Sequence, residues 1–251
     1  MKQIILLIAV GLIGSTGNGP ANVLVNDQPG FEVATIRPTG PNPSRTGFRI
    51  NGHRVSMTNE TVNNVIELAY AVHKEQIEGC PAWCGNDRYD IEGIADINGE
   101  PSFKQMQGMY QALLADRFGL KFHKEKKELS VYALRLDNGS AKLIKSKGDP
   151  NAQPDQEGNQ NGMTVTNASM SDLALMLQFM LDRPVVDQTN LAGKYDLHLK
   201  WTPADAPPNT APDAPPGLFT AIREQLGLKL EPTKAMDDVL MVDHVDKPTP
   251  N

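Results

Sequence analysis

The sequence predicts an α+β fold of two pseudo-symmetric tandem units, each with the element order β-α-β-α-β-β and with helices packed on mixed sheets. Short motifs recur at an offset of about 108 positions, and in each copy apolar residues follow helical and strand-like spacing in the same order. Of the 251 residues, 39% are hydrophobic and 22% are charged, which is a globular composition. Helices packed against a sheet layer are typical of such an order.

Four motifs recur in the same order along the chain. Thr58-Asn59 returns as Thr166-Asn167, each time before an amphipathic stretch. The other pairs are Arg88-Tyr89-Asp90-Ile91 with Lys194-Tyr195-Asp196-Leu197, Phe118-Gly119-Leu120 with Leu226-Gly227-Leu228, and Val131-Tyr132-Ala133-Leu134 with Val239-Leu240-Met241-Val242. Because the separation between the two members is nearly the same in all four pairs, we infer the duplication of one ancestral unit.

Spacing and capping predict the elements of each copy. An extended segment leads into Ser, Thr and Asn residues that can cap a helix, and apolar residues then recur at three- and four-residue steps. Gly119 and Gly227 follow the second helix, where a left-handed cap favours a residue without Cβ. The predicted elements are 49–56, 62–72, 89–94, 103–118, 120–124 and 129–135 in the first copy, and 163–166, 170–181, 195–201, 218–226, 228–231 and 239–245 in the second.

Residues 1–21 predict a secretory signal peptide. Lys2 precedes the apolar run 4–13, and small residues follow, which is the order of a signal peptide. The run is too short to span a bilayer. We therefore expect a secreted or periplasmic mature protein without a membrane span. A buried N-terminal strand is the alternative interpretation of the same run.

Composition shifts divide the rest of the chain. The first α+β unit is expected at 22–146, a polar linker rich in Asn, Gln, Asp and Gly at 147–162, and the second unit at 163–251. Six prolines at 202–217 form a Pro-rich insertion in the second unit. We expect this insertion to be an extended spacer on the surface.

Charge and cysteine content limit the partners and cofactors. A net charge of −6 removes the electrostatic basis for binding nucleic acid, so no such partner is expected. The only cysteines, Cys80 and Cys84, are too few for a Cys-rich zinc site. In an oxidising compartment they predict a local disulfide across a Pro-containing turn. Free thiols and a redox-active pair are the alternatives, although the spacing is one residue longer than Cys-x-x-Cys.

Several stretches of the chain resemble one known family. They are 31–38, Asp87-Arg88-Tyr89-Asp90-Ile91, 113–120, Arg183-Pro184-Val185-Val186-Asp187-Gln188-Thr189, 191–196 and Asp243-His244-Val245. In these stretches the chain resembles the DUF3738 group, which consists of soil-associated exported proteins that are abundant in Acidobacteria. The resemblance covers nearly all of the chain from Phe31. The resemblance implies export but no assigned activity, and Asp187 is taken from it as a candidate binding residue. A weaker likeness of 170–199 to the N-terminal modules of secretins and TonB-dependent receptors implies an envelope protein as partner.

Two His–Asp pairs are the candidate catalytic residues. Asp196 and His198 stand two apart on a predicted strand and therefore share a face, while Asp243 and His244 end the last predicted strand. A carboxylate beside an imidazole can fix its tautomer and raise its basicity, as a water-activating general base requires. A solvated strand edge is the alternative for each pair. The sequence contains no nucleophile elbow, phosphate-binding glycine loop or His-Glu-x-x-His motif.

Other residues suggest a metal ion or a ligand. The turns 96–100 and 137–140 present oxygen atoms of the kind that Ca²⁺ prefers, although neither fits the EF-hand register. Ordinary Asn-Gly turns are the alternative, so the metal stays unidentified.

Aromatic residues of the repeated motifs are the remaining binding candidates. Trp83 and Trp201 are candidate walls of a cleft between the units, with core or rim packing as the alternative. Tyr89, Asp90 and Tyr195 are binding candidates as well. Their alternative is architecture, with the ring packed and the carboxylate facing a neighbouring turn.

Two functions follow from these observations. The first is an exported binding module with a groove where the two units meet, which recognises a small-molecule ligand or an envelope protein. The second is a secreted hydrolase of small esters or lactones, such as acyl-homoserine lactones, which activates a water with calcium assistance.

Overall fold

The computed structural model describes residues 30–41, 46–159, 161–204, 206 and 214–248. Within them the chain forms five α-helices and twelve strands in three four-stranded sheets, which confirms the predicted α+β class. The predicted signal peptide and the centre of the Pro-rich insertion lie outside the described residues. In the part of the chain that is described, no helix has the length and apolar character needed to cross a membrane.

The elements follow in chain order. The strands are β1 (Phe31–Pro38), β2 (Gly47–Asn51), β3 (Arg54–Thr61), β4 (Ile77–Glu78), β5 (Arg88–Ala95), β6 (Lys121–Leu136), β7 (Ile144–Lys145), β8 (Asp155–Asn159), β9 (Gly162–Ala168), β10 (Val185–Asp187), β11 (Tyr195–Lys200) and β12 (Leu228–His244). The helices are α1 (Val62–Tyr70), α2 (Trp83–Asn86), α3 (Phe103–Arg117), α4 (Met170–Gln178) and α5 (Leu218–Ala221). A 3-10 turn (Lys74–Gln76) follows α1, and a π-helical turn (Ile222–Leu226) continues α5.

The two outer sheets repeat one topology. Their strand orders are β1-β5-β3-β2 and β7-β11-β9-β8, and all of their pairs are antiparallel. The hydroxyl of Thr61 in the first unit, and of its counterpart Ser169 in the second, caps the helix that follows the third strand. Gly119 and Gly227 have φ values of +59° and +66°, as predicted for left-handed caps.

A central sheet joins the two units. Its order is β10-β6-β12-β4, in which β6 and β12 pair antiparallel and each carries a short parallel strand from the other unit. Here one prediction is wrong, because each unit was expected to close on two short strands. Instead β6 and β12 are single strands of 16 and 17 residues. In β6 the four consecutive residues His123–Lys126 are all exposed, so both faces of the strand meet solvent there and the apolar pattern is interrupted.

Both long strands contribute to both hydrophobic cores. Leu134, in the C-terminal half of β6, packs in the core of the second unit, and Leu240, in the C-terminal half of β12, packs in the core of the first. The opposite ends, at Phe122 and Leu228, pack in the core of their own unit. The two units are therefore interleaved, so that unfolding one exposes apolar surface of the other.

Side chains at the junction between the units are packed together. Val131, Ala133 and Val239 of the long strands are fully buried. The buried His73 reaches across the junction, with its Nε2 atom 3.2 Å from the carbonyl oxygen of Leu181, its counterpart in the second unit. The groove that the sequence analysis expects between the copies is not seen at these positions.

The repeated Tyr-Asp pairs fix the turn from strand to helix. Asp90 accepts a hydrogen bond from the backbone N–H of Asn59 at 2.9 Å, and Asp196 accepts one from Asn167 at 2.9 Å. Both asparagines are left-handed, with φ values of 57° and 58°, a conformation that Asn tolerates better than most residues. The same carboxylate thus satisfies the same N–H group in both units, which gives the repeated motif a structural role.

The predicted polar linker is ordered in part. Residues Asp155–Asn159 form the edge strand β8 and pair with β9, so this part of 147–162 belongs to the second sheet. Gly158 permits the pairing because a Cβ atom there would lie 2.6 Å from the carbonyl oxygen of Gly162. At the base of the Pro-rich insertion, the N–H of Thr202 donates to the carbonyl of Pro216 at 2.9 Å and holds the two ends together.

Candidate functional site

The predicted catalytic pair Asp196 and His198 does not assemble. The two side chains alternate with buried residues along β11 and share its outer face, as predicted. Asp196 is held by the N–H of Asn167, and this bond, followed by one from Ser146, lowers the pKa of the Asp196 carboxyl. The Nδ1 atom of His198 lies 2.8 Å from the hydroxyl of Thr164. Each side chain is therefore engaged by a different neighbour.

The second predicted pair, Asp243 and His244, also has separate partners. Asp243 lies 2.9 Å from Nδ1 of His123, and Nε2 of His244 lies 2.9 Å from the carboxylate of Asp246. These residues end the strand β12 beside the first unit, whereas the first pair lies on the outer sheet of the second unit. The fold does not bring the four predicted catalytic residues into one site.

His123 is not among the predicted catalytic residues, although it contacts one of them, Asp243. Asp243 faces its Nδ1 atom and Glu125 faces its Nε2 atom at 3.2 Å. The hydrogen bond to Asp243, and then the one to Glu125, raises the pKa of His123. An imidazole with a carboxylate on each nitrogen is stabilised as the cation, and the cation cannot accept a proton from water. The cluster therefore fits a cross-strand ion network better than a general base.

Most of the predicted binding residues are buried or shape the backbone. Tyr89, Tyr195 and Trp201 are 5%, 6% and 6% exposed within the two cores. Asp187 accepts hydrogen bonds from the N–H and the hydroxyl of Thr189, at 2.9 and 2.8 Å, and so forms the turn after β10. Burial leaves the three aromatic rings little access to a ligand.

The predicted disulfide between Cys80 and Cys84 is present. It closes the loop that contains the start of α2, in which Trp83 is half-buried. The Nζ atom of Lys247 lies 5.7 Å from the centroid of the Trp83 ring and pairs with the carboxylate of Asp87. The loop therefore anchors the C-terminal end of the described chain.

The turn at 96–100 borders a shallow depression of about 360 Å³. Its lining residues are Glu32, His53, Ile94, Ala95, Asp96, Ile97 and Asn98. Among the described residues, no group of three or more His, Cys, Asp or Glu side chains is placed to hold a metal ion.

An exposed aromatic patch on the second unit is the strongest candidate site. We define it as Tyr132 on β6, Arg183 just before β10, and Phe219 on α5. The rings of Tyr132 and Phe219 meet edge to face with centroids 5.3 Å apart. The guanidinium carbon of Arg183 lies 4.8 Å from the centroid of Tyr132. Phe219 is 44% exposed and Tyr132 is half-buried, so the patch faces solvent.

Asp182 orders the aromatic patch. Its carboxylate accepts hydrogen bonds from Nη2 and Nε of Arg183, at 3.0 and 3.3 Å. Burial, and then Asp182, raises the pKa of Tyr132, which keeps the phenol neutral. The bond to Arg183 lowers the pKa of Asp182. The patch therefore presents two ring surfaces and a guanidinium held in one orientation by a carboxylate.

The second unit has a shorter helix than the first at the corresponding position of the repeat. α3 has 15 residues, whereas α5 and the π-helical turn after it have 4 and 5. Leu240, the counterpart of Tyr132 in the repeat, is 1% exposed in the core of the first unit. A π-helical turn is rare and is often found at functional sites.

Two more apolar side chains are exposed at the end of α4. Phe179 and Met180 are 42% and 40% exposed. Val72, the counterpart of Met180, is 9% exposed in the first unit. Neither these residues nor those of the aromatic patch are among the predicted site residues, although the Pro-rich insertion in one copy alone indicates that the second helix is shortened there.

Comparison with known proteins places the chain in one family. Residues 63–245 match the family model described as Protein of unknown function (DUF3738). The matched region contains strands β4 to β12, helices α2 to α5 and the aromatic patch. No curated protein and no solved structure matches the chain.

Proposed function

The chain belongs to the DUF3738 family, and we propose that it is an exported binding module whose protein partner docks on the aromatic patch. The observation that carries the proposal is the exposed group of Tyr132, Phe219 and Arg183 in the second repeat, where Leu240, the counterpart of Tyr132 in the first repeat, is 1% exposed. Tyr, Phe and Arg are enriched at protein interfaces, and Tyr and Arg are frequent hot spots there.

Export is the second part of the proposal. It is supported by the signal-peptide pattern of residues 1–21 and by the local disulfide, because such bonds persist in oxidising compartments. An envelope or secreted protein is then the partner class that the chain would meet. A small-molecule ligand is less well supported, because the patch is a surface and not an enclosed pocket.

Hydrolysis of esters or lactones receives no comparable support. The four predicted catalytic residues have separate partners, and both nitrogens of His123 face carboxylates. An ester and lactone panel, measured with calcium and with chelator, tests this alternative directly. Turnover that survives purification and is lost in His244→Ala would favour the hydrolase over the binding module.

Site-specific photocrosslinking tests the binding module. A photoreactive phenylalanine analogue replaces Phe219 in the native bacterium, and a matched analogue replaces Phe103, the first residue of α3. The two positions are 44% and 42% exposed, so they differ in location and not in accessibility. We expect one discrete protein adduct from position 219, its loss in Arg183→Glu, and no such adduct from position 103. Equal adducts at both positions, or none at 219, would contradict the proposal.

A further inference from the structure

We propose that protonation of His73 opens the junction between the two units. The neutral imidazole holds the junction turn, which we define as residues 73–76, against the second unit. The cation favours an open state in which this turn and β4 separate from β12. This device goes beyond the proposed function, and it operates whether or not a partner docks on the aromatic patch.

The contacts of His73 select one neutral tautomer of its imidazole. The carbonyl oxygen of Leu181, 3.2 Å from Nε2, can only accept, so Nε2 carries the hydrogen. The backbone N–H of Glu75 donates to Nδ1 at 3.2 Å, so Nδ1 is the acceptor. Protonation puts a second hydrogen on Nδ1, where it faces that N–H group. The cation therefore loses the bond that caps the turn, in a site where the side chain is 2% exposed.

The junction turn holds β4 in place. Gln76 accepts from the N–H of His73 at 2.8 Å, and its Nε2 atom donates to the carboxylate of Asp237 and the carbonyl of Asp238 on β12, at 3.2 and 3.1 Å. β4 follows Gln76 directly and has only two residues, which pair with β12. Because so short a strand has few hydrogen bonds of its own, its place on β12 depends on the turn before it.

The second unit meets the same junction with a side chain that does not titrate. The buried Gln178 donates through its Nε2 atom to the carbonyl of Ala71 at 3.3 Å. The repeat has His73 in one copy and Leu181 in the other, so the first copy alone places an ionisable group at this position. Leu181 directly precedes Asp182, which puts the junction next to the carboxylate that orders the aromatic patch.

Charged groups from both units act on the imidazole. They are Lys74, Glu75 and Asp182. Burial is the largest influence, and the pKa of His73 is lowered. On β12, Asp237 faces Gln76. On α1, the pKa of Glu67 is raised to about 7, so this carboxyl titrates in the same range with the opposite effect on stability. The effect of His73 is therefore isolated by substitution.

Hydrogen–deuterium exchange of the full chain measures the opening, because exchange of a protected amide follows the population of its open state. In the open state the imidazole is solvated and its pKa returns to 6.5. Linkage then makes opening at most about tenfold more frequent at pH 5.5 than at pH 7.5. Labelling times are scaled to the intrinsic exchange rates at the two pH values. The reporting peptides cover 72–79 and 239–243, and β9 with β11 is the internal reference.

We expect opening at 72–79 and 239–243 to rise about threefold to tenfold from pH 7.5 to 5.5 in the wild type. In His73→Gln, which keeps a donor but does not titrate, the rise should be less than about 1.5-fold. His53→Gln is the matched control, because His53 is exposed between β2 and β3, and it should follow the wild type. Only the ratio between the two pH values is compared, so a variant with a looser junction at both is equally informative.

Three results would overturn the inference. They are equal opening of the wild type at both pH values, the same rise in His73→Gln, and a rise that extends equally to β9 and β11. Nitrogen NMR of the wild-type imidazole is a second test that needs no variant. The Nε2–H tautomer at pH 7.5 supports the inference, and the Nδ1–H tautomer refutes it.

Discussion

Glu67 on α1 makes the stability of the protein depend on pH near neutrality. The side chain is half-buried, and burial, opposed by Lys74 and reinforced by Glu60 and Glu75, raises its pKa from 4.5 to about 7. The second unit has Leu175 at the corresponding position of the repeat. A carboxyl group that replaces a leucine in a packed helix face is poorly solvated, which disfavours its charged form.

The sign and the size of the effect follow from this pKa. Between pH 4.5 and 7 the folded protein binds more protons at Glu67 than the unfolded chain does, so stability falls as the pH rises through this range. At about 1.4 kcal/mol per pH unit, the upper limit is roughly 3 kcal/mol, and water access to the half-buried carboxyl reduces it to about 2 kcal/mol.

Substitution of Glu67 by Gln removes the charge and keeps the shape. We expect Glu67→Gln to match the wild type at pH 4.5 and to exceed its free energy of unfolding by about 2 kcal/mol at pH 8. The melting temperature at pH 8 should rise by about 4–8 °C. Urea unfolding followed by circular dichroism, from pH 4.5 to 8.5, measures the difference.

Glu224→Gln is the matched control for this experiment, because Glu224 is exposed on the π-helical turn of the second unit and is not among the groups that shift the pKa of Glu67. Its stability should follow the wild type at every pH within about 0.5 kcal/mol. If Glu67→Gln and the wild type lose stability in parallel between pH 5 and 8, the carboxyl is solvated and the argument from burial fails.

Three further predictions test the packing. Gly227→Ala should lower the free energy of unfolding by about 2–4 kcal/mol, and Gly119→Ala by about 1–2 kcal/mol. Both glycines are left-handed, but a Cβ atom at position 227 would lie 2.7 Å from a backbone oxygen, whereas one at position 119 would have no neighbour nearer than 3.6 Å. Equal melting temperatures of the two variants would refute this prediction. Burial lowers the pKa of His73, so its neutral form stabilises the protein above pH 6.5 and this contribution is lost as the pH falls. His73→Leu should lower the free energy of unfolding by about 1–3 kcal/mol at pH 7.5, and in urea unfolding the stability of this variant should fall less steeply with acid than that of the wild type. An equally steep fall would count against the prediction. The intact mass of exported protein should rise by two hydrogens on reduction of the disulfide. The double variant Cys80→Ser, Cys84→Ser should lose no more than about 2 kcal/mol of unfolding free energy, because the closed loop is short. Alkylation of both thiols without reductant would contradict the disulfide.

Local chemistry explains what could be predicted from the sequence. The helices at 62–72 and 170–181, the left-handed caps Gly119 and Gly227, and the duplication depend on spacing and capping within a few turns of chain. The disulfide joins residues four apart and is equally local. The candidate site could not be found in this way, because it joins Tyr132 on β6 to Phe219 on α5, and these two residues lie far apart in the chain.

The sequence alone therefore determined the α+β class, the repeat and most helix positions, since these follow from periodicities that one stretch of chain carries by itself. Only the tertiary structure decided that β6 and β12 pair along their whole length, that the units exchange short strands, and that Asp243 contacts His123 instead of His244. Pairing register and burial are set by contacts between residues far apart in the chain, and no local pattern specifies which distant strand a given strand will meet.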